Sequence, residues 1–133
     1  MSACVADTHA IIWYLARSPL LSHSAMHAFE LAEQANSPIF VSAITIVEIA
    51  YLVEKGKLPS VSWSILIQSL HSKASAITVQ PLTLEIAEVL KLISRDQIPD
   101  MPDRIIAATA VHLALPLITR DQKILDSGIE TIW

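Results

Sequence analysis

Short apolar runs alternating with helix-length stripes constrain this 133-residue chain more than any other feature. Cys4-Val5-Ala6, Ile39-Phe40-Val41, Ala76-Ile77-Thr78-Val79 and Leu117-Ile118-Thr119 are each too brief for a helix and read as buried strands. Ile129 to Trp133 reads as a terminal fifth, after the turn at Ser127-Gly128. Between the strands, 3.6-residue stripes predict helices. They run from Thr8 to about Arg17, from a Ser22 cap through Ala32, from Ala43 to Glu54 and from about Trp63 to Leu70. Further ones run from Thr83 to about Ser94 and from Asp103 to Leu115, with a last helical turn from Gln122 to Asp126. Strands that alternate with helices predict an α/β fold: a parallel sheet with helices on both faces, the connections crossing over between strands. Residues 1–133 carry no repeat, low-complexity segment or linker, so one domain is expected.

Hydrophobic residues make up 53% of the chain and charged residues 17%, which excludes disorder and points to a sheet covered on both sides and to a subunit interface. The single cysteine, Cys4, has no intrachain partner, and the start lacks the basic and apolar regions of a signal peptide. The longest apolar segment, Ile105 to Leu115, is too short to span a bilayer. A cytoplasmic, soluble protein is expected. Its formal net charge of −4, from 9 basic and 13 acidic residues, argues against non-specific binding of nucleic acid. Setting four acids aside as metal ligands would leave the remainder in balance, so charge alone does not decide the partner.

Four acids stand where chemistry is done. Asp7 ends the first strand, and in open α/β sheets ligands bind outside the carboxyl ends of strands. Asp121 ends the fourth strand in the same way, although a helix N-cap explains it equally well. Glu48 lies in Ile44-Thr45-Ile46-Val47-Glu48-Ile49-Ala50-Tyr51-Leu52, with no Lys or Arg three or four residues away. A carboxylate on so apolar a face is costly to bury unless a cation meets it. Asp103 opens the most apolar helix, where an acid is stabilised by the helix dipole. The alanines behind it, Ala107, Ala108 and Ala110, would let that helix lie close to the sheet and hold the acid at the sheet's edge.

Brought together, such carboxylates persist only with a cation or with raised pKa values, and all-oxygen ligands favour Mg²⁺ or Mn²⁺ over zinc. The five histidines show no metal-ligand spacing; His9, two residues past Asp7, is the one within reach of the site. With only Gly56 and Gly128, the chain has no glycine-rich phosphate loop. No serine sits in a nucleophile elbow.

Asp7-Thr8-His9, then Glu48 in an apolar helix after Val41-Ser42-Ala43, then Pro102-Asp103-Arg104-Ile105-Ile106-Ala107-Ala108-Thr109-Ala110, then Leu117-Ile118-Thr119-Arg120-Asp121, resembles a PIN domain. More narrowly, the order resembles the VapC-like toxins of bacterial type II toxin–antitoxin pairs, from end to end. The resemblance implies a metal-dependent ribonuclease with a central parallel sheet of about five strands, in which Asp7, Glu48, Asp103 and Asp121 match the family's acidic quartet. It also implies a homodimer and an antitoxin that covers the site. Thr8 and Thr119 match positions beside the first and fourth acids. One or two Mg²⁺ or Mn²⁺ ions would activate water and polarise the scissile phosphate. Arg104 and Arg120, each next to a proposed ligand, are candidates for RNA phosphates, with His9 beside them. The role of Asp100 is left open.

Two other readings compete. An acid-pocket phosphatase or phosphoryl acceptor also places Asp at strand ends, but wants a late lysine at the pocket, and Lys123 falls inside a helix. A non-catalytic module binding RNA or protein would have lost its acids, and all four are present.

Overall fold

The computed structural model describes residues 2–133, which form five strands and seven helices. In chain order these are β1 (Cys4–Ala6), α1 (Thr8–Leu15), α2 (His23–Gln34), β2 (Ile39–Ser42), α3 (Ala43–Glu54) and α4 (Ser60–His71). There follow β3 (Ile77–Gln80), α5 (Leu84–Leu92), α6 (Met101–Leu113), β4 (Leu117–Ile118), α7 (Gln122–Asp126) and β5 (Thr131–Ile132). Every pairing is parallel, and the sheet order is β3-β2-β1-β4-β5.

Strand side chains alternate between the two faces, so the register decides which helix each one meets. Val5 lies opposite Phe40 and Leu117. Val5 and Leu117 pack with Ile106, Ala107 and Ala110 of α6, Ile124 of α7 and Ile98. Cys4, Ala6, Ile39, Val41 and Ile118 point the other way, onto Ile11 of α1, Phe29 of α2, Ile49 of α3 and Leu66 of α4. Each fully buried aliphatic side chain contributes ~1.5–3 kcal/mol, and both faces are needed to cover so apolar a sheet. Cys4 is part of this packing, and burial pushes its thiol up to about 12, which leaves it inert. Leu66 is buried and Trp63 and Leu70 lean on the same core, so packing accounts for these three side chains of α4, while Val61 in its first turn stays exposed.

Several helix ends differ from the sequence expectation: α4 starts at Ser60 rather than near Trp63 and α2 runs on to Gln34, while α1 and α6 differ for visible local reasons. Helix α1 stops at Leu15, and Arg17 takes a left-handed φ of 53° that turns the chain toward Pro19. Helix α6 starts earlier, at Met101, because Asp100 accepts a hydrogen bond from the Asp103 amide at 3.1 Å and is the N-cap. It also ends earlier, at Leu113, with Ala114 at φ 55° reversing the chain into β4.

The strand order locates the crevice. The first two crossovers build outward from β1 to β2 and β3, whereas α5 and α6 carry the chain back past β1 to β4. Connections therefore leave the centre of the sheet in opposite directions, between β1 and β4. Ligand crevices open at the carboxyl ends of strands beside such a reversal.

Candidate active site

Asp7 closes β1 at that crevice and is only 8% exposed. It caps α1: its Oδ1 accepts from the Thr8 amide at 2.8 Å. Its Oδ2 accepts from the Thr119 hydroxyl at 2.6 Å, a bond from the end of β4 that ties the two central strands together. Thr119 Oγ1 also accepts from the Asp121 amide at 3.0 Å. Asp121 does what a cap does, its Oδ1 accepting from the Ile124 amide at 3.0 Å, while its side chain borders the same cleft as Asp7. Capping and site placement are both true of this residue.

Glu48 is met by a hydroxyl, and by no cation within bonding distance among the described residues. Thr8 Oγ1 donates to Glu48 Oε1 at 2.6 Å and lies 3.0 Å from Thr45 Oγ1. A hydroxyl has one proton, and since that of Thr8 goes to Glu48, Thr45 must donate to Thr8. Thr45 is buried on the same face of α3, one turn before Glu48. Thr8 and Thr119 thus each orient a carboxylate. Thr45 was not foreseen from the sequence; its spacing three residues before Glu48 on an apolar helix was the available signal.

Asp103 lies in the first turn of α6, with its carboxylate not used for capping, and lines the cleft with Asp7 and Asp121. Ile105 to Ala110 behind it are buried, so α6 lies hard on the sheet. Burial raises the pKa of Asp7, opposed by its bonds from Thr119 and Thr8. Burial likewise raises that of Glu48, opposed by the Thr8 hydroxyl. Asp103 is pushed up to about 7 by burial and then by the charges of Asp7, Asp100, Asp121 and Glu48. Asp100, exposed at the start of α6, therefore acts on the site through its charge as well as through its cap.

The basic residues divide. Arg104 turns its Nε and Nη2 to the Ile93 carbonyl, at 3.1 and 2.9 Å, and fastens α6 to the end of α5. Arg120 is exposed at the cleft, with its guanidinium over the Trp13 ring. His9 borders the cleft too, 5.5 Å from Trp13 between ring centres.

Residues 4–128 match the family described as the PIN domain. The chain belongs to the PIN-domain family. Ribonuclease VapC22 of Mycobacterium tuberculosis is 29% identical to this PIN domain over 129 residues, covering 93% of this chain and 91% of that protein. The VapBC2 structure from Rickettsia felis, bound to a DNA fragment from its promoter, superposes with a TM-score of 0.73 at 19% identity, over 98% of this chain and 99% of that one. A toxin–antitoxin complex from Klebsiella pneumoniae gives a TM-score of 0.68 at 23% identity, over 98% and 96% of the two chains. At such identities the structural likeness establishes the fold.

The donor set of this PIN domain suits a hard divalent cation in its chemistry, since it consists of carboxylate oxygens. In the present rotamers, no three His, Cys, Asp or Glu side chains among the described residues close on one point tightly enough to enclose an ion. Both Asp7 oxygens, Glu48 Oε1 and Asp121 Oδ1 accept from hydroxyl or amide donors. Repulsion nonetheless reaches Asp103, because Coulomb forces extend well beyond coordination distance. A carboxylate offers about four lone-pair sites, so each of these oxygens retains acceptor capacity. Among the described residues, no helix is long and apolar enough to cross a membrane.

Proposed function

We propose that this PIN domain is an endoribonuclease that hydrolyses RNA phosphodiester bonds with Mg²⁺ or Mn²⁺, and that it is the toxin of a cytoplasmic toxin–antitoxin pair. The observation that carries the reading is Asp103. Its carboxyl is raised to about 7 by burial and by the charges of four other acids. A site so built spends stability on repulsion that a divalent cation would cancel. Similarity to a protein named a ribonuclease supports the activity, and similarity to two toxin–antitoxin structures supports the partner. The antitoxin and a homodimer contact would find exposed apolar side chains at Val47 and Tyr51 on α3 and Leu84 and Leu92 on α5. The 133 residues form a single domain on this reading.

Asp7, Asp103, Asp121 and Glu48 would hold the cation, which supplies Lewis-acid chemistry at the scissile phosphate. The chain does the rest. The Thr8 amide and the Thr119 hydroxyl fix both oxygens of Asp7, so the carboxylate is oriented before substrate arrives. The Thr45–Thr8 relay holds Glu48, whose second oxygen orients the attacking water. Arg120 at the cleft supplies positive charge for the RNA phosphates. Arg104 has two donors committed to Ile93 and is the weaker candidate, and His9 at the rim completes the basic side.

The test is cleavage of a panel of structured RNAs by purified protein in Mg²⁺, in Mn²⁺ and in EDTA, beside Asp7→Asn. Activity that needs the metal and disappears in folded Asp7→Asn supports the reading. Equal cleavage by both proteins removes Asp7 from the chemistry. Metal binding without cleavage of any RNA would favour the non-catalytic module.

A further inference from the structure

One wall of the cleft is aromatic and cationic, which the carboxylates do not explain. Arg120 follows Thr119 out of β4, and its guanidinium carbon lies 4.3 Å from the centre of the Trp13 indole. The His9 imidazole flanks that indole at 5.5 Å and the Trp133 indole at 5.9 Å, both tilted. All four side chains border the cleft of about 230 Å³ that Asp7, Asp103 and Asp121 also line. Trp13 and Trp133 lean on the core, which accounts for their half-burial. It does not account for an arginine laid over the ring at the mouth of an acidic cleft.

A guanidinium carries its N–H donors in its plane, at the edge, and leaves its faces for stacking. Arg120 lies over Trp13, is exposed and borders the cleft, so a base entering the cleft can reach it. Single-stranded RNA is read by splaying bases onto aromatic rings and guanidinium planes, and larger π-faces stack more strongly. Arg120 and Asp121 are consecutive, so a base on the first delivers its own backbone to the acids.

We propose that Arg120 and Trp13 form a stacking subsite for the nucleobase adjoining the scissile phosphate of single-stranded RNA, with purines preferred over pyrimidines. The proposal rests on the ribonuclease reading and adds the part of the substrate that reading leaves unspecified. The contact with the indole would order the arginine, so that its plane can take a base while its edge donors remain available to phosphate. Trp133 and His9 limit how far the indole can swing.

The test is equilibrium binding of labelled hexa-adenylate and hexa-uridylate in Mg²⁺, in an Asp7→Asn background that keeps the RNA intact. Hexa-adenylate is expected to bind roughly fivefold more tightly. Arg120→Lys keeps the charge and removes the plane; Trp13→Leu keeps an apolar filler against the core and removes the ring. Each should weaken hexa-adenylate binding on the order of tenfold and bring the two RNAs within about twofold of each other. Circular dichroism and the melting temperature verify that both variants fold. A purine preference that survives in both folded variants overturns the proposal, as does a parent protein with no preference. Loss of binding to both RNAs in equal proportion reduces Arg120 to a phosphate contact and overturns it too. Purine-selective, Trp13-dependent binding by a protein that cleaves no RNA would sink the ribonuclease reading and leave the base subsite standing.

Discussion

Asp7 and Asp103 line one cleft, yet the chain treats them in opposite ways. Asp7, at the end of β1, is nearly fully buried, and a hydroxyl and an amide offset the cost of its charge. Asp103, in the first turn of α6, is half-buried, and every influence on it raises its pKa, to about 7. Depth of burial therefore does not rank the acids of this site; the supply of donors does. The β1 half is preorganised by hydrogen bonds, whereas the α6 half is held under repulsion and responds most to a cation. Four substitutions and one titration can break or sharpen that contrast.

The largest effect is expected from Asp103→Asn. Cleavage in Mg²⁺ should fall roughly a thousandfold through loss of a ligand and of charge at the phosphate. In EDTA at pH 8 the same variant should melt higher than the native protein, because a buried charge among like charges has gone. A lower melting temperature there would mean that Asp103 is satisfied after all, and the contrast would fail.

Thr119→Val should act on the other half in the opposite sense. It leaves Asp7 Oδ2 without its donor and is expected to lower both cleavage, roughly 10- to 100-fold, and stability, by about 1.5–3 kcal/mol. Undiminished activity in urea-resistant Thr119→Val would show that the metal alone orients Asp7. Thr45→Val is one step further away. Thr8 loses its donor while Glu48 keeps Thr8, so about a tenfold drop in cleavage is expected, with substrate binding little changed. A change in KM with kcat intact would place Thr45 outside the Glu48 relay.

The pH dependence follows from the raised carboxyls. Asp103, Asp7 and Glu48 hold their protons to higher pH when folded than when unfolded. The contribution of Asp103 to stability is thus full below about pH 4, declines as pH rises through about 7 and is lost above it, and those of Asp7 and Glu48 decline in the same direction. For half-exposed Asp103, solvent screening reduces this to on the order of 1–2 kcal/mol. Urea melts in EDTA between pH 5 and 8 should show the decline, and saturating Mg²⁺ should flatten it. A flat profile in EDTA would put the repulsion in doubt. The smallest effect belongs to Asp100→Asn, which can still cap α6 but removes one of the charges acting on Asp103. Stability should stay within about 0.5 kcal/mol, while the pH decline shifts to lower pH.

The α/β class, the five strands, the caps at Ser22 and Ser42 and the span of α3 follow from local pattern, because period-2 and period-3.6 burial and cap chemistry act over a few residues. The four acids were legible for a related reason: each interrupts or borders an apolar run, and a charge there needs an explanation. Helix ends were legible only in part. Asp100 and Asp103 are both plausible caps, and which one turns its carboxylate inward depends on how α6 lies on the sheet. Tertiary structure alone decided the order β3-β2-β1-β4-β5, and with it that the ends of β1 and β4 share one crevice. It alone brought Thr119 to Asp7 across 112 residues and Thr8 to Glu48 across 40, contacts that no short-range rule encodes. It also took Arg104 away to Ile93 and set Arg120 over Trp13, although both arginines sit beside an acid in the sequence. Sequence neighbours share a location, but the packing of whole elements sets which way a side chain points.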